Sequence, residues 1–167
     1  MIRQNYEMKV NNHLRRQVTL ELMASYLYQA YGSFFDRADI ALPGVKKFFE
    51  SSSKEERDHA DGLVEYINKR GGNMQFEDVK SAVEDWKHAL IAMEDTLVIE
   101  KYVNSELLNI HKLASNNNDP HLTNFLEDKY LDEQVEAIKK LGEYITQLRR
   151  FKNDYKLGEY IFDQRLS

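Results

Sequence analysis

The 167-residue chain is long enough for one sizeable core, and its seven glycines and two prolines are few enough to favour a mostly helical protein. Because it has no cysteine, disulfides, thiolate zinc sites, iron–sulfur clusters and a cysteine nucleophile are excluded. A net charge of −5 argues against nucleic acid as a partner, and no apolar run approaches the roughly 18 residues of a membrane span. Since the N-terminus also has no apolar segment typical of a secretory signal, we expect one cytoplasmic domain over residues 1–167, with neither nucleic acid nor membrane as partner.

Gly, Pro and Asn-rich segments divide the chain into helical blocks. The blocks cover residues 8–36, 43–70, 86–114, 121–152 and 156–165. Pro43 suits the first turn of a helix, and Gly71 with Gly72 is a strong helix-ending signal. Trp86 opens the third block, where we expect it to be a packing anchor. The chain therefore predicts four long helices and a short C-terminal one.

The lengths of the connections predict the topology. Short connections join the first helix to the second and the third to the fourth, which favours two antiparallel hairpins. The middle connection, residues 71–85, reaches about 50 Å when extended, whereas a helix of 28 residues is about 42 Å long. It can therefore cross the full length of the bundle and make the second and third helices parallel. We predict an all-α, four-helix bundle with a long second-to-third crossover and a short fifth C-terminal helix.

Each helix carries one polar residue in the middle of its apolar stripe. These residues are Glu21, Glu56, Glu100 and Gln134. Counted from their hairpin loops, they lie about 15, 13, about 15 and 13 residues away, and the separations within the two hairpins are 35 and 34 residues. The agreement predicts one polar layer across the bundle and indicates an internal duplication of a helical hairpin.

The composition of this layer predicts a metal site. Three carboxylates in one layer repel each other unless a cation neutralises them. Glu56 and His59 form a Glu-x-x-His motif whose i, i+3 spacing puts both side chains on one face. Alone, that motif would be typical of a solvated helix face, but together with the layer it favours a pair of iron ions. Tyr28 lies on the same stripe and would contact a ligand or the metal, or else be an ordinary core aromatic.

The fourth helix departs from the duplicate. Where the second helix has Glu56 and His59, the fourth has Gln134 and Ala137, so one metal position is poorer in ligands. Glu133, next to Gln134, falls off the stripe and is interpreted as a charge near the site or on the surface.

Six short segments form a specific set, namely residues 20–26, 34–37, 55–60, 70–72, 118–121 and 133–135. With them the sequence resembles animal ferritins of the catalytic, heavy-chain type over essentially the whole chain. The resemblance implies a hollow shell of 24 subunits, made of this chain alone or together with a second ferritin subunit type. It implies that the shell oxidises Fe²⁺ with O₂ and stores a ferric mineral. The ferroxidase centre that it implies consists of Glu21, Tyr28, Glu56, His59, Glu100 and Gln134.

The resemblance also implies sites outside the layer. A mineral-nucleation patch would consist of Glu55, Asp58 and Asp61, with Asp in place of the usual Glu at two positions; the alternative is a solvated acidic face. An iron channel on a three-fold axis would use His111, Asn124 and Glu127. Since position 124 is usually Asp, a ring of carboxylates becomes a ring of amides there. The fifth helix would line a four-fold axis, with Arg165 as an unusual channel residue.

Two other interpretations compete with this one. A storage-only shell subunit would nucleate mineral without oxidising iron, but such subunits lack the Glu and His ligands found here. A helical interaction module without metal chemistry would use Trp86 and tyrosine-rich faces as contacts. That interpretation requires the inward glutamates to result from an incorrect helix phase.

Overall fold

The computed structural model describes residues 2–80 and 88–167, and within them all regular structure is helical. The helices are α1 (Met8–Phe35), α2 (Pro43–Lys69), α3 (Ala89–Asn116), α4 (Pro120–Leu126), a π-helical turn (Glu127–Leu131), α5 (Asp132–Arg149) and α6 (Tyr155–Leu166). Because α4, the π turn and α5 follow one another without a break, they form the fourth long helix. The predicted bundle with a short C-terminal helix is confirmed. Trp86 and the predicted start of the third helix lie outside the described residues.

Two hairpins make up the bundle, as predicted. Helix α1 packs along α2, and α3 packs against α5. Ser25 and Ser53 face each other across the first hairpin, where each hydroxyl donates a 2.7 Å hydrogen bond to the other residue's carbonyl oxygen. The chain turns between α1 and α2 with Ala41 in the left-handed region, at φ 52°.

The crossover from α2 runs along α1. Asn11 donates to the carbonyl oxygen of Asn73, and one turn later Arg15 donates to Gln75. Val79 then lines a groove with Tyr26 near the far half of α1. The segment therefore travels from the start of α1 towards its end, which makes α2 and α3 parallel.

The core consists of two apolar clusters with the polar layer between them. The first lies around the start of α1 and the end of α2, and the second around the other end of the bundle. Along α1, Val18 belongs to the first cluster and Ala24 to the second, with Glu21 between them. On each of the other three long helices the polar residue also separates the two clusters, in the reverse chain order on α2 and α3 and in the same order on the fourth. The fold thus places its buried polar residues at mid-height, where two apolar halves meet.

Helix α6 is fixed to the bundle by two carboxylates one turn apart. The side chain of Asp163 accepts a 2.9 Å hydrogen bond from the Val45 amide in the first turn of α2. Glu159 accepts one of 2.5 Å from the Ala89 amide at the start of α3. In the described part of the chain, no helix combines the length and apolarity that a membrane span requires.

Candidate metal centre

The four polar residues of the predicted layer point into the bundle. Their exposed fractions are small, at 1% for Glu21, 6% for Glu56, 4% for Glu100 and 4% for Gln134. The helix phase inferred from the sequence was therefore correct for these residues. The interpretation as an interaction module, which needed the opposite phase, is wrong on this point.

Three of the predicted ligands come together on the first hairpin. Glu21 on α1 and Glu56 and His59 on α2 each offer a ligand atom, and these three atoms lie within 4.8 Å of one another. The Nδ1 atom of His59 is 3.3 Å from Oε2 of Glu56, which lies one helical turn earlier. Glu21 Oε2 is buried and accepts no hydrogen bond from an N–H or hydroxyl group of residues 2–80 and 88–167, although the carboxyl of Glu56 lies close enough to share a proton with Glu21. This half of the layer therefore offers two carboxylates and an imidazole within reach of one cation.

The remaining predicted ligands form a hydrogen-bonded group on the other side. The Tyr28 hydroxyl donates to Oε1 of Glu100 at 2.5 Å, and Nε2 of Gln134 donates to Oε2 at 3.2 Å. The same amide nitrogen donates to the Glu100 backbone oxygen at 3.0 Å. Both carboxylate oxygens of Glu100 are therefore already satisfied by protein donors.

Burial and mutual repulsion dominate the electrostatics of the layer. Burial, followed by the charge of Glu56, raises the pKa of Glu21 well above its ordinary value. Burial, followed by the charge of Glu100, raises the pKa of Glu56 to about 8. The layer therefore holds protons at neutral pH that a cation can replace.

Three residues contact the predicted ligands although they were not predicted as part of the site. Gln17, one turn before Glu21, donates to Oε1 of Glu21 at 2.7 Å. The Tyr130 hydroxyl donates to the His59 carbonyl oxygen at 2.9 Å. Glu133, expected to lie off the stripe, brings Oε2 to 3.1 Å from Nε2 of His59. For Gln17 the signal was its i, i+4 spacing to a predicted ligand.

The predicted nucleation residues are exposed on α2. Glu55 lines an open groove with Glu133 of α5. Asp58 pairs with Lys54 at 2.6 Å, and Asp61 pairs with Arg57 at 3.7 Å. Two of the three carboxylates thus face a basic side chain one turn earlier, as on an ordinary solvated helix.

The predicted channel residues lie on α3 and near the π turn. Nε2 of His111 is 2.6 Å from Oε1 of Glu127, and the Asn124 amide donates to Asp128 at 3.0 Å. Arg165 is exposed near the end of α6. Glu127 lies seven residues before Gln134 on the fourth long helix, and His111 lies eleven residues after Glu100 on α3.

A helical bundle with three buried glutamates, a histidine and an amide in one central layer has the architecture of carboxylate-type metal-binding proteins. The profile of the ferritin-like domain matches residues 11–151. The chain is 48% identical to the middle subunit of ferritin from Salmo salar, with 98% of this chain and 94% of that protein covered. It is 47% identical to the soma ferritin of Lymnaea stagnalis (97% and 92% covered) and 44% identical to the yolk ferritin of Lymnaea stagnalis (94% and 85% covered). The chain belongs to the ferritin family, and this membership supports a function in iron storage.

Proposed function

We propose that this chain is a catalytic, heavy-chain-type ferritin subunit, a single domain over residues 1–167 that works in the cytoplasm. It oxidises Fe²⁺ to Fe³⁺ with O₂ and stores the ferric product inside a 24-subunit shell. The observation that carries the proposal is the cluster of Glu21, Glu56 and His59 within 4.8 Å. Carboxylate oxygens and an imidazole suit iron, and a storage-only subunit has no need to bury them.

The hydrogen bonds of the layer support an order of binding. A first Fe²⁺ at Glu21, Glu56 and His59 replaces protons and one contact of the His59 ring with a carboxylate, and it leaves the bond from Gln17 to Oε1 of Glu21 in place. A second ion at Glu100 has to displace the donors Tyr28 and Gln134, and the Gln134 amide must turn before its oxygen can bind. The position that includes His59 therefore fills first, and the other one binds more weakly because an amide supplies no charge.

Each of the two Fe²⁺ ions gives one electron to one O₂, which takes up two protons and leaves as hydrogen peroxide. The buried carboxylates favour Fe³⁺ over Fe²⁺ because they interact more strongly with the higher charge. Ferric product then moves to the patch of Glu55, Asp58 and Asp61. The ion pairs of that patch with Lys54 and Arg57 are exposed, and exposed pairs are worth at most about 1 kcal/mol, so ferric ions replace the basic partners readily.

The ferroxidase assignment is tested by Glu56→Ala combined with His59→Gly. This double variant should lose rapid oxidation, because two of the three clustered ligands are gone, and should keep slow mineralisation at the exposed patch. Stopped-flow absorbance of the early ferric species after mixing with Fe²⁺ in air measures both phases.

The matched control is Glu65→Ala combined with His13→Gly, which removes the same residue types away from the layer. It should oxidise iron at the parent's rate. If the Glu56 and His59 double variant also does so, the layer is not the oxidation site.

The shell is tested by mass. Twenty-four subunits of 19.7 kDa give about 470 kDa, which light scattering after size exclusion measures directly. The double variant should assemble equally well, because its substitutions lie inside one subunit and remove repelling charges. A parent protein that elutes as a monomer or dimer at neutral pH would contradict the shell.

A further inference from the structure

Gln17 is a buried amide next to the proposed iron site. Its side chain is 1% exposed, and it lies on α1 one helical turn before Glu21. Its Nε2 atom donates to Oε1 of Glu21 at 2.7 Å. A buried polar group is costly unless it is hydrogen-bonded; the NH₂ group of Gln17 has its bond to Glu21, whereas its Oε1 is buried without a partner among the described residues.

The contact with Gln17 involves only one of the two carboxylate oxygens of Glu21. Oε1 accepts from Gln17, whereas Oε2 is buried and accepts no hydrogen bond from an N–H or hydroxyl group in residues 2–80 and 88–167. Once a cation replaces the proton of Glu21, its carboxylate only accepts hydrogen bonds, and the NH₂ group of Gln17 is the part of the amide that can then donate to it. The helix fixes the distance between the two side chains, so the bond restricts the rotamers of Glu21.

The corresponding position on the other hairpin carries no such donor. Thr96 lies one turn before Glu100 on α3 and is 2% exposed. Its hydroxyl donates to the Ala92 carbonyl oxygen at 2.7 Å, within its own helix. Glu100 receives its amide from Gln134 instead, a residue that the second ion must turn. Gln17 thus differs from Gln134 in supporting a ligand from within the ligand's own helix.

We propose that Gln17 is a positioning residue that holds Glu21 in the rotamer whose second oxygen binds the first Fe²⁺. The proposal rests on the proposed function, since it takes Glu21 as an iron ligand. Hydrogen bonds to ligand side chains fix ligand orientation, and their loss typically lowers metal affinity about ten- to a hundredfold. Without the amide, Glu21 has to give up rotamer freedom when the ion binds.

The test compares Gln17→Leu and Gln17→Met with Thr96→Val. Fe²⁺ binding is measured anaerobically by titration calorimetry, and Co²⁺ is used as a probe because its absorption spectrum reports ligand geometry. Both Gln17 variants should bind the first Fe²⁺ roughly tenfold more weakly and show an altered Co²⁺ spectrum. Thr96→Val, equally buried and one turn before a ligand, should match the parent in both measurements.

Parental Fe²⁺ affinity and Co²⁺ spectrum in assembled Gln17 variants would overturn the positioning role. Gln17→Met keeps the length and nearly the volume of glutamine, so it tests the role even where the branched leucine packs poorly. Glu56→Ala with His59→Gly, titrated alongside, separates the two proposals. If that variant loses the first Fe²⁺ while the Gln17 variants keep it, only the positioning role fails. If the Glu56 and His59 double variant binds the first Fe²⁺ as tightly as the parent does, the proposed iron site is wrong as well.

Discussion

Glu56 combines burial with a position among other carboxylates. Its pKa is raised from 4.5 to about 8, and that of Glu21 is raised too, so the folded protein holds protons that the unfolded chain has released. Because the folded state binds more protons between these values, the free energy of unfolding contributed by the pair falls as the pH rises from about 4.5 through about 8. The metal-free layer is a source of instability at neutral and alkaline pH.

Binding of a divalent cation at pH 7 should therefore release protons from the layer. The release should diminish above about pH 8, where Glu56 is already ionised, and the cation affinity should rise with pH up to that point. Calorimetric titration with Zn²⁺ in buffers of different ionisation enthalpy counts the protons. Glu56→Gln should release fewer of them, and equal release at pH 7 and pH 9 would contradict the raised pKa.

At the residue scale, the sequence predicted which side chains face inward better than which of them touch. Inward orientation follows from helical periodicity, and this placed Glu21, Glu56 and Glu100 correctly. Contacts depend on rotamers and on the rotation of neighbouring helices. The bond from Gln17 to Glu21 and the approach of Glu133 to His59 needed that information.

Among the elements, α6 caps two other helices. Leu42 and His88 precede α2 and α3, and within the described residues neither makes a side-chain capping hydrogen bond. Asp163 and Glu159 supply acceptors to those helix starts instead, and their negative charge suits the positive end of each helix dipole. A side chain on Gly44 would come within 2.2 Å of the Asp163 carbonyl oxygen, so glycine is required for this approach.

Asp163→Ala should lower the free energy of unfolding by about 1–2 kcal/mol, because the buried Val45 amide loses its acceptor. Faster amide hydrogen exchange at Val45 should accompany the loss. Asp163→Asn keeps an acceptor oxygen, so its free energy of unfolding should fall by less. Urea denaturation of the three proteins provides the comparison, and equal midpoints would mean that α6 does not stabilise α2 through this bond.

The ends of the elements were more predictable than their internal irregularities. Pro43 and Gly71 set the limits of α2 to within a residue, because their backbone preferences act locally. The π turn was not predicted, although buried residues in the fourth helix recur at intervals of four. They are Leu122, Leu126, Tyr130 and Gln134. A straight α-helix would drift by about 40° at each such step, and the wider turn compensates for this.

On the scale of the whole molecule, the proposed shell needs an entrance for iron. Glu127 is paired with His111, and Asn124 donates to Asp128, so the proposed channel has acidic groups without a carboxylate at position 124. Long-range attraction of cations depends on the summed charge at such an opening and weakens with salt.

Asn124→Asp should speed Fe²⁺ uptake severalfold at low ionic strength and by less in high salt. The reason is the additional charge at each proposed channel, where Asp128 already contributes. Asn12→Asp adds the same charge at an exposed position on α1 and serves as the control. Uptake is followed by ferric absorbance, and identical rates for the three intact shells would mean that entrance through this channel does not limit the reaction.

Under the proposed function, the layer of carboxylates that divides the core would connect iron supply with the lifetime of the protein. A ligand that binds only the folded state stabilises it by mass action, by about 2.7 kcal/mol when its concentration is a hundred times its dissociation constant. On the proposed function, iron in the layer at that concentration would lower the population of opened chains, which proteases attack, about a hundredfold. A subunit that meets no iron would open more often and be degraded sooner, so the cargo itself would select which subunits persist.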